Sequence, residues 1–207
     1  MLSSSICTRP ERRRLAVLLL AAIAICGPVT AAAARAAAGK AGTAAADGRV
    51  AADAAPWRAV LPQAQALGGG DLTFFGLRIY RATLWSASRP FDATQPFALQ
   101  LSYYRSISRG RLVSTSMGEI RRLARAPIPD ATMARWESVL AGAFVDVKEG
   151  DELTGVYQPG RGMQLYDRQR LLAEVEDDAL ARAFFDIWLN PDSRDQKLRQ
   201  RLMGTQP

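Results

Sequence analysis

Two adjoining stretches decide the fold: GDELTGVYQPGRGMQLYD, Gly150 to Asp167, and ALARAFFDIWLNP, Ala179 to Pro191. In the first, Leu153 to Gln158 and Met163 to Asp167 alternate in polarity on either side of the turn sequence PGRG. This pattern predicts a β-hairpin, because alternate side chains of a strand face opposite sides and glycine with proline marks a turn. The second stretch predicts an aromatic-rich helix that ends at Asn190-Pro191.

Further strands are predicted on both sides of this hairpin. Before it, GLRIYRATLW (Gly76 to Trp85) and FALQLSYYR (Phe97 to Arg105) have strand-like composition, with Gly76 as a bulge or a bend between two short strands. After it, Leu171 to Val175 predicts one more strand. Helix-start signals lie at Ser116 with Glu119, at Asp130, at Asp177-Asp178, and at Ser193 with Gln196.

The helix signals predict two helices before the hairpin and two after the last strand. Ser116 with Glu119 reads as a capping box, which places the first helix at Met117 to Ala126. Gly204 is expected to end the last helix. The resulting order of strands, helices, strands and helices predicts an α+β chain with a mostly antiparallel sheet.

The N-terminal part of the chain predicts export. A basic leader precedes the apolar run Leu15 to Ile25, and small residues follow, which is the order found in secretory signals. Eleven apolar residues are too few for a transmembrane anchor, which needs about 20. Lipidation of Cys26 is a weaker alternative, because Ile25 is not the small residue usual before a lipidated cysteine. We therefore expect a cleaved signal peptide and a periplasmic protein.

Three regions of the chain are expected. Residues 1–31 form the signal peptide. Residues 32–56 are rich in alanine with few large apolar residues, so they predict a flexible tether. Residues 57–207 form the folded domain, which has a common size for one domain with one core.

Composition excludes several classes of chemistry. The sequence has no histidine, and its two cysteines, Cys7 and Cys26, precede the domain. We therefore expect no metal, no cofactor and no Ser-His-Asp or Cys-His arrangement. Removing the four arginines and one glutamate of the leader reduces the formal net charge from +7 to +4. The remaining basic clusters lie on predicted amphipathic helices, so no nucleic-acid partner is expected.

The order of these segments resembles the chalcone isomerase-like family, and more narrowly its exported bacterial branch, over Leu67 to Leu202. The resemblance implies an open antiparallel sheet covered by helices on one face, with a ligand cleft between sheet and helices. It places Tyr80 where the plant enzymes have a pocket threonine. Their catalytic arginine would fall near Gly68 to Gly70, and their tyrosine–asparagine pair near Ser114 to Leu123, where this chain has neither tyrosine nor asparagine.

These departures predict that the chain does not form flavanones, and they make the fatty-acid-binding members the nearer comparison. The candidate ligand-binding residues are Arg78, Tyr80, Tyr103 and Arg105. An arginine beside tyrosine hydroxyls in an apolar cleft suits a carboxylate, because the guanidinium presents a planar fork to two oxygens. No catalytic residue is assigned.

Three functions from different classes are compatible with the sequence. The first is a non-catalytic periplasmic protein that binds a small apolar acid, such as a fatty acid. The second is an isomerase, an intramolecular lyase acting on an unknown substrate, which requires a positioned proton-transfer group. The third is an accessory protein of an envelope system with a protein partner, which requires an exposed apolar surface.

Overall fold

The computed structural model describes residues 55–205. The expected signal peptide, residues 1–31, and nearly all of the tether, residues 32–56, lie outside the described residues, as do Cys7 and Cys26. No helix within residues 55–205 is long and apolar enough to cross a membrane.

Six strands form a single sheet in which every strand pairs antiparallel with its neighbours in the chain, in the order β1-β2-β3-β4-β5-β6. The strands are β1 (Gln65–Phe74), β2 (Leu77–Ser86), β3 (Phe97–Tyr103), β4 (Glu152–Gln158), β5 (Gly162–Tyr166) and β6 (Leu171–Val175). The predicted hairpin is β4–β5, and Gly76, with φ +76°, lies in the turn between β1 and β2. Because each strand follows its neighbour, the sheet is a simple meander.

Four helices pack on one face of this sheet. They are α1 (Arg109–Leu123), α2 (Asp130–Ala143), α3 (Asp178–Leu189) and α4 (Gln196–Leu202). The helices α3 and α4 lie against strands, and α1 packs beside α2 and α3. Buried side chains of the helices and of β2 to β6 form one continuous core. The predicted α+β class, with an antiparallel sheet covered by helices on one face, is confirmed.

Two glycines of β1, Gly68 and Gly70, allow α4 to approach the sheet. A Cβ atom on Gly68 would meet the backbone oxygen of Arg201 at 1.9 Å, a distance that no real Cβ tolerates, and one on Gly70 would meet the Arg201 side chain at 2.9 Å. Gly69, between them, faces β2 instead. Gly68 and Gly70 are therefore the packing surface for α4.

Several predicted helix starts are wrong. The helix α1 begins at Arg109, because the Ser108 side chain accepts a hydrogen bond from the Arg111 backbone N–H. The predicted cap, Ser116, is buried in the middle of α1. In the last helix, Asp195 accepts from the Leu198 N–H at 2.9 Å, so it replaces the predicted Ser193.

The other two helix starts lie close to their predicted positions. Asp177 accepts from the Leu180 N–H at 2.9 Å and caps α3 as predicted. Asp130 is the first residue of α2, but its side chain makes no capping bond and Pro129 occupies the cap position. Gly204 has φ +65° and follows the last helix, as predicted.

The opposite face of the sheet carries a second, smaller cluster. A short 3-10 helix, Pro56–Ala59, places Trp57 against Ala98, Val156 and Tyr166. The Arg58 guanidinium lies 4.7 Å from the Trp57 ring centroid and 4.1 Å from that of Trp85. This segment therefore covers part of the face that the four helices leave open.

Candidate functional site

Tyr80 and Tyr103 are neighbours on the face of the sheet that the helices cover. They are partners in the antiparallel register of β2 and β3. Their ring centroids lie 5.9 Å apart with the planes at 70°, an edge-to-face arrangement. Two of the four predicted ligand-binding residues are therefore in direct contact at the sheet–helix boundary.

Trp188 of α3 supplies the polar partner of Tyr80. Its indole Nε1–H donates a hydrogen bond to the Tyr80 hydroxyl at 2.9 Å. Burial raises the pKa of Tyr80, the Trp188 hydrogen bond opposes this rise, and the negative charges of Asp195 and Glu119 add to it. Tyr80 therefore stays a neutral phenol that accepts from Trp188 and retains its own proton to donate.

Tyr103 has no such partner. Its residue is only 3% exposed, and burial, with a smaller contribution from Tyr80, raises its pKa. Within residues 55–205, its hydroxyl forms no hydrogen bond. The buried side-chain polar atoms without a partner in the described residues are Trp57 Nε1, Trp85 Nε1 and Ser193 Oγ, and the Tyr103 hydroxyl is not among them. The Tyr103 hydroxyl is therefore a neutral donor that can be offered to an acceptor beside the Tyr80–Trp188 pair.

A charged cluster near Tyr80 ties α1 to the α3–α4 loop. Glu119 of α1, with a side chain only 12% exposed, accepts two N–H groups of Arg122 at 2.9 and 2.8 Å and one from Arg194. Arg122 also donates to the backbone oxygen of Asp192 at 3.0 Å. The negative charge of Glu119 contributes to the raised pKa of Tyr80. The Glu119–Arg194 pair and the Arg122 bond therefore hold the C-terminal end of α1 to the α3–α4 loop.

The two predicted arginines lie together but apart from this buried group. The Arg78 side chain is 54% exposed, its Nε lies 3.0 Å from Asp71 Oδ2, and its guanidinium carbon lies 3.8 Å from the Tyr104 ring centroid. The exposed Arg105 donates from Nε to the backbone oxygen of Arg78 at 3.3 Å. Arg78 lies two residues before Tyr80 on β2, about 6.6–6.8 Å along the strand, and Arg105 follows the end of β3 at Tyr103. The arginines are therefore exposed beside the end of the sheet, while the tyrosines face the helices.

The expected cleft between sheet and helices is not an open space in this structure. The region is filled by buried side chains of the core, including Leu101, Met117 and Phe184. Two surface depressions lie elsewhere. One, of about 320 Å³, is at the β4–β5 turn and β6, and the other, of about 390 Å³, follows α1 around Pro127. A ligand between sheet and helices would therefore have to displace side chains or part the helices from the sheet.

The described residues offer little for acid–base or metal chemistry. Within residues 55–205, no group of three or more histidine, cysteine, aspartate or glutamate side chains lies close enough to hold a metal ion. The raised pKa values make Tyr80 and Tyr103 poor proton acceptors at neutral pH. The arrangement is suited to donating hydrogen bonds to an acceptor.

Sequence reasoning missed three members of this region. The sequence places Trp188 only in the predicted aromatic-rich helix. A tryptophan on a buried face needs a partner for its N–H, which is the signal that could have pointed to the bond with Tyr80. The pattern of Ser116 with Glu119 predicts Glu119 as a capping residue, but α1 begins at Arg109 and no helix starts at Ser116. Arg194 lies in the α3–α4 loop, and no local pattern signals that it reaches back to α1.

The comparisons with known proteins give a family, a relative in sequence and a solved structure of similar fold. A sequence model described as chalcone isomerase-like matches residues 73–204. A protein of Haemophilus influenzae is 26% identical over 141 residues, which is 68% of each chain. The crystal structure of a fatty-acid binding protein from Arabidopsis thaliana matches with a TM-score of 0.53 at 11% identity, covering 69% of this chain and 87% of that one. At this identity the structural likeness concerns the fold alone.

Proposed function

The chain belongs to the chalcone isomerase-like family, and we propose that it is a non-catalytic periplasmic protein that binds a small apolar carboxylate such as a fatty acid. One observation carries this proposal: the Tyr103 hydroxyl, on the face of the sheet that the helices cover, donates to no other side chain or backbone group of the described residues and lies beside the Tyr80–Trp188 pair. An acceptor oxygen brought by a ligand would satisfy it. The fatty-acid binding protein of similar fold supports the choice of ligand class.

The ligand's two ends match two parts of the site. The ligand carboxylate accepts hydrogen bonds from the Tyr103 hydroxyl and from one of the two exposed arginines. Arg105 is the better candidate, because Arg78 is already paired with Asp71. The hydrocarbon chain enters between the apolar side chains of sheet and helices. Because that region is filled by core side chains, binding requires the helices to part from the sheet, and the Glu119–Arg194 pair between α1 and the α3–α4 loop resists this movement. The protein therefore selects ligands whose burial of apolar surface offsets this movement.

Non-catalytic binding fits the site better than isomerisation. An isomerase needs a group that takes up a proton from the substrate, and the raised pKa values of Tyr80 and Tyr103 disfavour that role. The chain also has only glycine at positions 68–70, where the plant enzymes would carry their catalytic arginine. We expect the protein not to accelerate closure of a 2′-hydroxychalcone above the rate in buffer, and a thousandfold enhancement would establish the isomerase alternative.

Calorimetric titration with decanoate tests the ligand and its contacts. Tyr103→Phe removes one neutral hydrogen bond, so affinity should fall about two- to tenfold. Arg105→Met removes a charge-assisted contact and should weaken binding about ten- to a hundredfold. The matched control is Tyr166→Phe, because the Tyr166 hydroxyl donates to Gln164 and Tyr166 belongs to the cluster on the opposite face. Absence of decanoate binding, or equal affinity in all variants, would reject this site.

The periplasmic location rests on the leader and the apolar run Leu15 to Ile25. Processing after the small residues that follow it would yield a mature chain beginning between Ala32 and Ala36. N-terminal sequencing of the protein from a periplasmic fraction measures this directly. Recovery of an intact Met1 with the inner membrane would instead establish an anchored protein.

A further inference from the structure

The tip of the β1–β2 hairpin exposes three large apolar side chains. Phe74 and Leu77 are each 45% exposed and Phe75 is 84% exposed, and the two phenylalanine rings contact edge to face at 4.5 Å. Only three other large apolar side chains of the described residues are comparably exposed, and they are dispersed: Val139, Val145 and Leu171. A contiguous exposed apolar group marks an interaction surface more often than a solitary residue does.

Phe75 occupies a backbone conformation that disfavours it. Its φ is +48°, in the left-handed region where glycine and asparagine are usual and where other residues cost about 1–2 kcal/mol. The fold does not need phenylalanine at this position, because the ring is 84% exposed and its aromatic contact is with Phe74, which is itself 45% exposed. The sequence therefore keeps a strained, exposed aromatic residue that folding alone does not explain.

Three arginines close to this tip form its basic collar: Arg78 and Arg81 belong to β2, and Arg105 donates to the backbone oxygen of Arg78. The side chains of Arg78, Arg81 and Arg105 are exposed. Asp71 pairs with Arg78 at 3.0 Å and with Arg81 at 3.4 Å. Three positive charges against this one negative charge leave a net charge of +2 around the apolar tip. Apolar side chains in front of arginines complement a surface whose interior is hydrocarbon and whose rim is anionic.

We propose that the β1–β2 tip is a docking element for a phospholipid bilayer that contains anionic lipids. Phe74, Phe75 and Leu77 enter the boundary between headgroups and acyl chains, while the arginines contact phosphates. A protein partner would not require a positive collar, whereas attraction of arginines to an anionic leaflet is worth about a fivefold affinity gain per residue. The tip continues the strands that carry Tyr80 and Tyr103, but the docking does not depend on ligand binding there.

A tryptophan placed at the tip reports insertion. The variant Phe75→Trp of the full chain is mixed with vesicles of phosphatidylethanolamine and phosphatidylglycerol, and its fluorescence is compared with that of wild type. The extra emission should shift to shorter wavelength and be quenched by brominated acyl chains. The matched control is Leu171→Trp, exposed on β6 at the far edge of the sheet, which should show neither change. Because the readout is local, contact of Leu15 to Ile25 with the vesicles does not produce it.

Two further measurements complete the test. Phe75→Ser should weaken vesicle binding of the tip about tenfold, and Arg81→Gln with Arg105→Gln should abolish the preference for anionic over phosphatidylcholine vesicles. The proposal is overturned if Phe75→Trp shows no shift with anionic vesicles. It is also overturned if the shift appears equally with phosphatidylcholine, or with increasing protein concentration alone, which would indicate a second copy of the chain as the partner.

Discussion

Folded proteins usually bury apolar side chains and expose polar groups. The β1–β2 hairpin and the neighbouring strand β3 depart from this distribution in two places. Tyr80 and Tyr103 lie on the face that the helices cover, where burial raises the pKa of both, and at Phe74 and Phe75, only a few residues away, aromatic rings are exposed. Buried polar groups and exposed apolar groups are both the informative exceptions in a folded protein. Each costs free energy, so each requires a compensating contact.

The difference between the two regions lies in how much of that cost the fold itself offsets. The burial of the Tyr80 hydroxyl is offset by the hydrogen bond from Trp188. The Tyr103 hydroxyl and the Phe75 ring have no comparable partner within residues 55–205. Contacts within the described residues thus explain Tyr80, whereas for Tyr103 and Phe75 we propose that an external partner completes the contact.

The packing of α4 on β1 is expected to give the largest single effect. Gly68→Ala places a Cβ against the Arg201 backbone oxygen, so β1 and α4 must separate. The free energy of unfolding, measured by urea denaturation, should fall by about 3 kcal/mol or more. The buried tyrosine region should loosen with it, since α4 follows directly on the α3–α4 loop, while the exposed tip should be unaffected.

The control for this substitution is Gly118→Ala. Gly118 lies in α1, and a Cβ there meets nothing within 4 Å. Because alanine favours helix over glycine, this variant should gain about 0.5–1 kcal/mol. A neutral Gly68→Ala would mean that α4 does not pack on β1 as closely as described.

The two tyrosines should differ in stability when their hydroxyls are removed. Tyr80→Phe leaves the buried Trp188 N–H without an acceptor, so the free energy of unfolding should fall by about 1–3 kcal/mol. Tyr103→Phe removes an unpartnered hydroxyl, so it should be neutral or slightly stabilising. Urea denaturation of both variants measures the difference. Equal losses would show that Tyr103 has a partner after all.

Alkaline pH should weaken the fold through the same two residues. Their pKa values are raised above the ordinary value of 10.0, so the folded state keeps protons that the unfolded state loses. The stabilisation is fully present below pH 10 and is lost as pH rises above it, at about 1.4 kcal/mol per pH unit for each tyrosine. The double variant Tyr80→Phe with Tyr103→Phe should therefore show a flatter decline above pH 10, and an unchanged slope would contradict the burial of these hydroxyls.

Much of the architecture could be predicted from local patterns. The β4–β5 hairpin, β6 and the Asp177 cap of α3 follow from alternation, turn residues and capping chemistry, all of which act over a few residues. The start of α1 could not be predicted, because Ser116 with Glu119 carries the stronger local signal, whereas Ser108 has Arg111 three residues on and no capping box. The choice of Ser108 depends on burying Ser116, Met117 and Ile120, which is a tertiary effect.

The site could be predicted only in part, for a similar reason. Strand alternation indicated that Tyr80 shares a face with Arg78 and that Tyr103 shares one with Arg105, but not that the tyrosines would face the helices while the arginines would be exposed. Which residues cover a strand depends on helices far along the chain, such as α3 with Trp188. Whether all four residues bind the ligand stays a prediction.

The smallest change in the free energy of unfolding is expected at the exposed tip. Its sign distinguishes backbone strain at Phe75 from packing of the Phe75 ring. Phe75→Asn keeps φ +48° but places there a residue that tolerates the left-handed region, so the free energy of unfolding should rise by about 0.5–1 kcal/mol. The matched control is Phe74→Asn, because Phe74 belongs to β1 and has no positive φ, and asparagine disfavours strands. That variant should be neutral or destabilised. If Phe75→Asn were destabilised as well, the Phe75 ring would be contributing packing to the fold. Phe75 would then resemble Tyr80, whose contacts lie within the fold, and would not need an external partner to explain it.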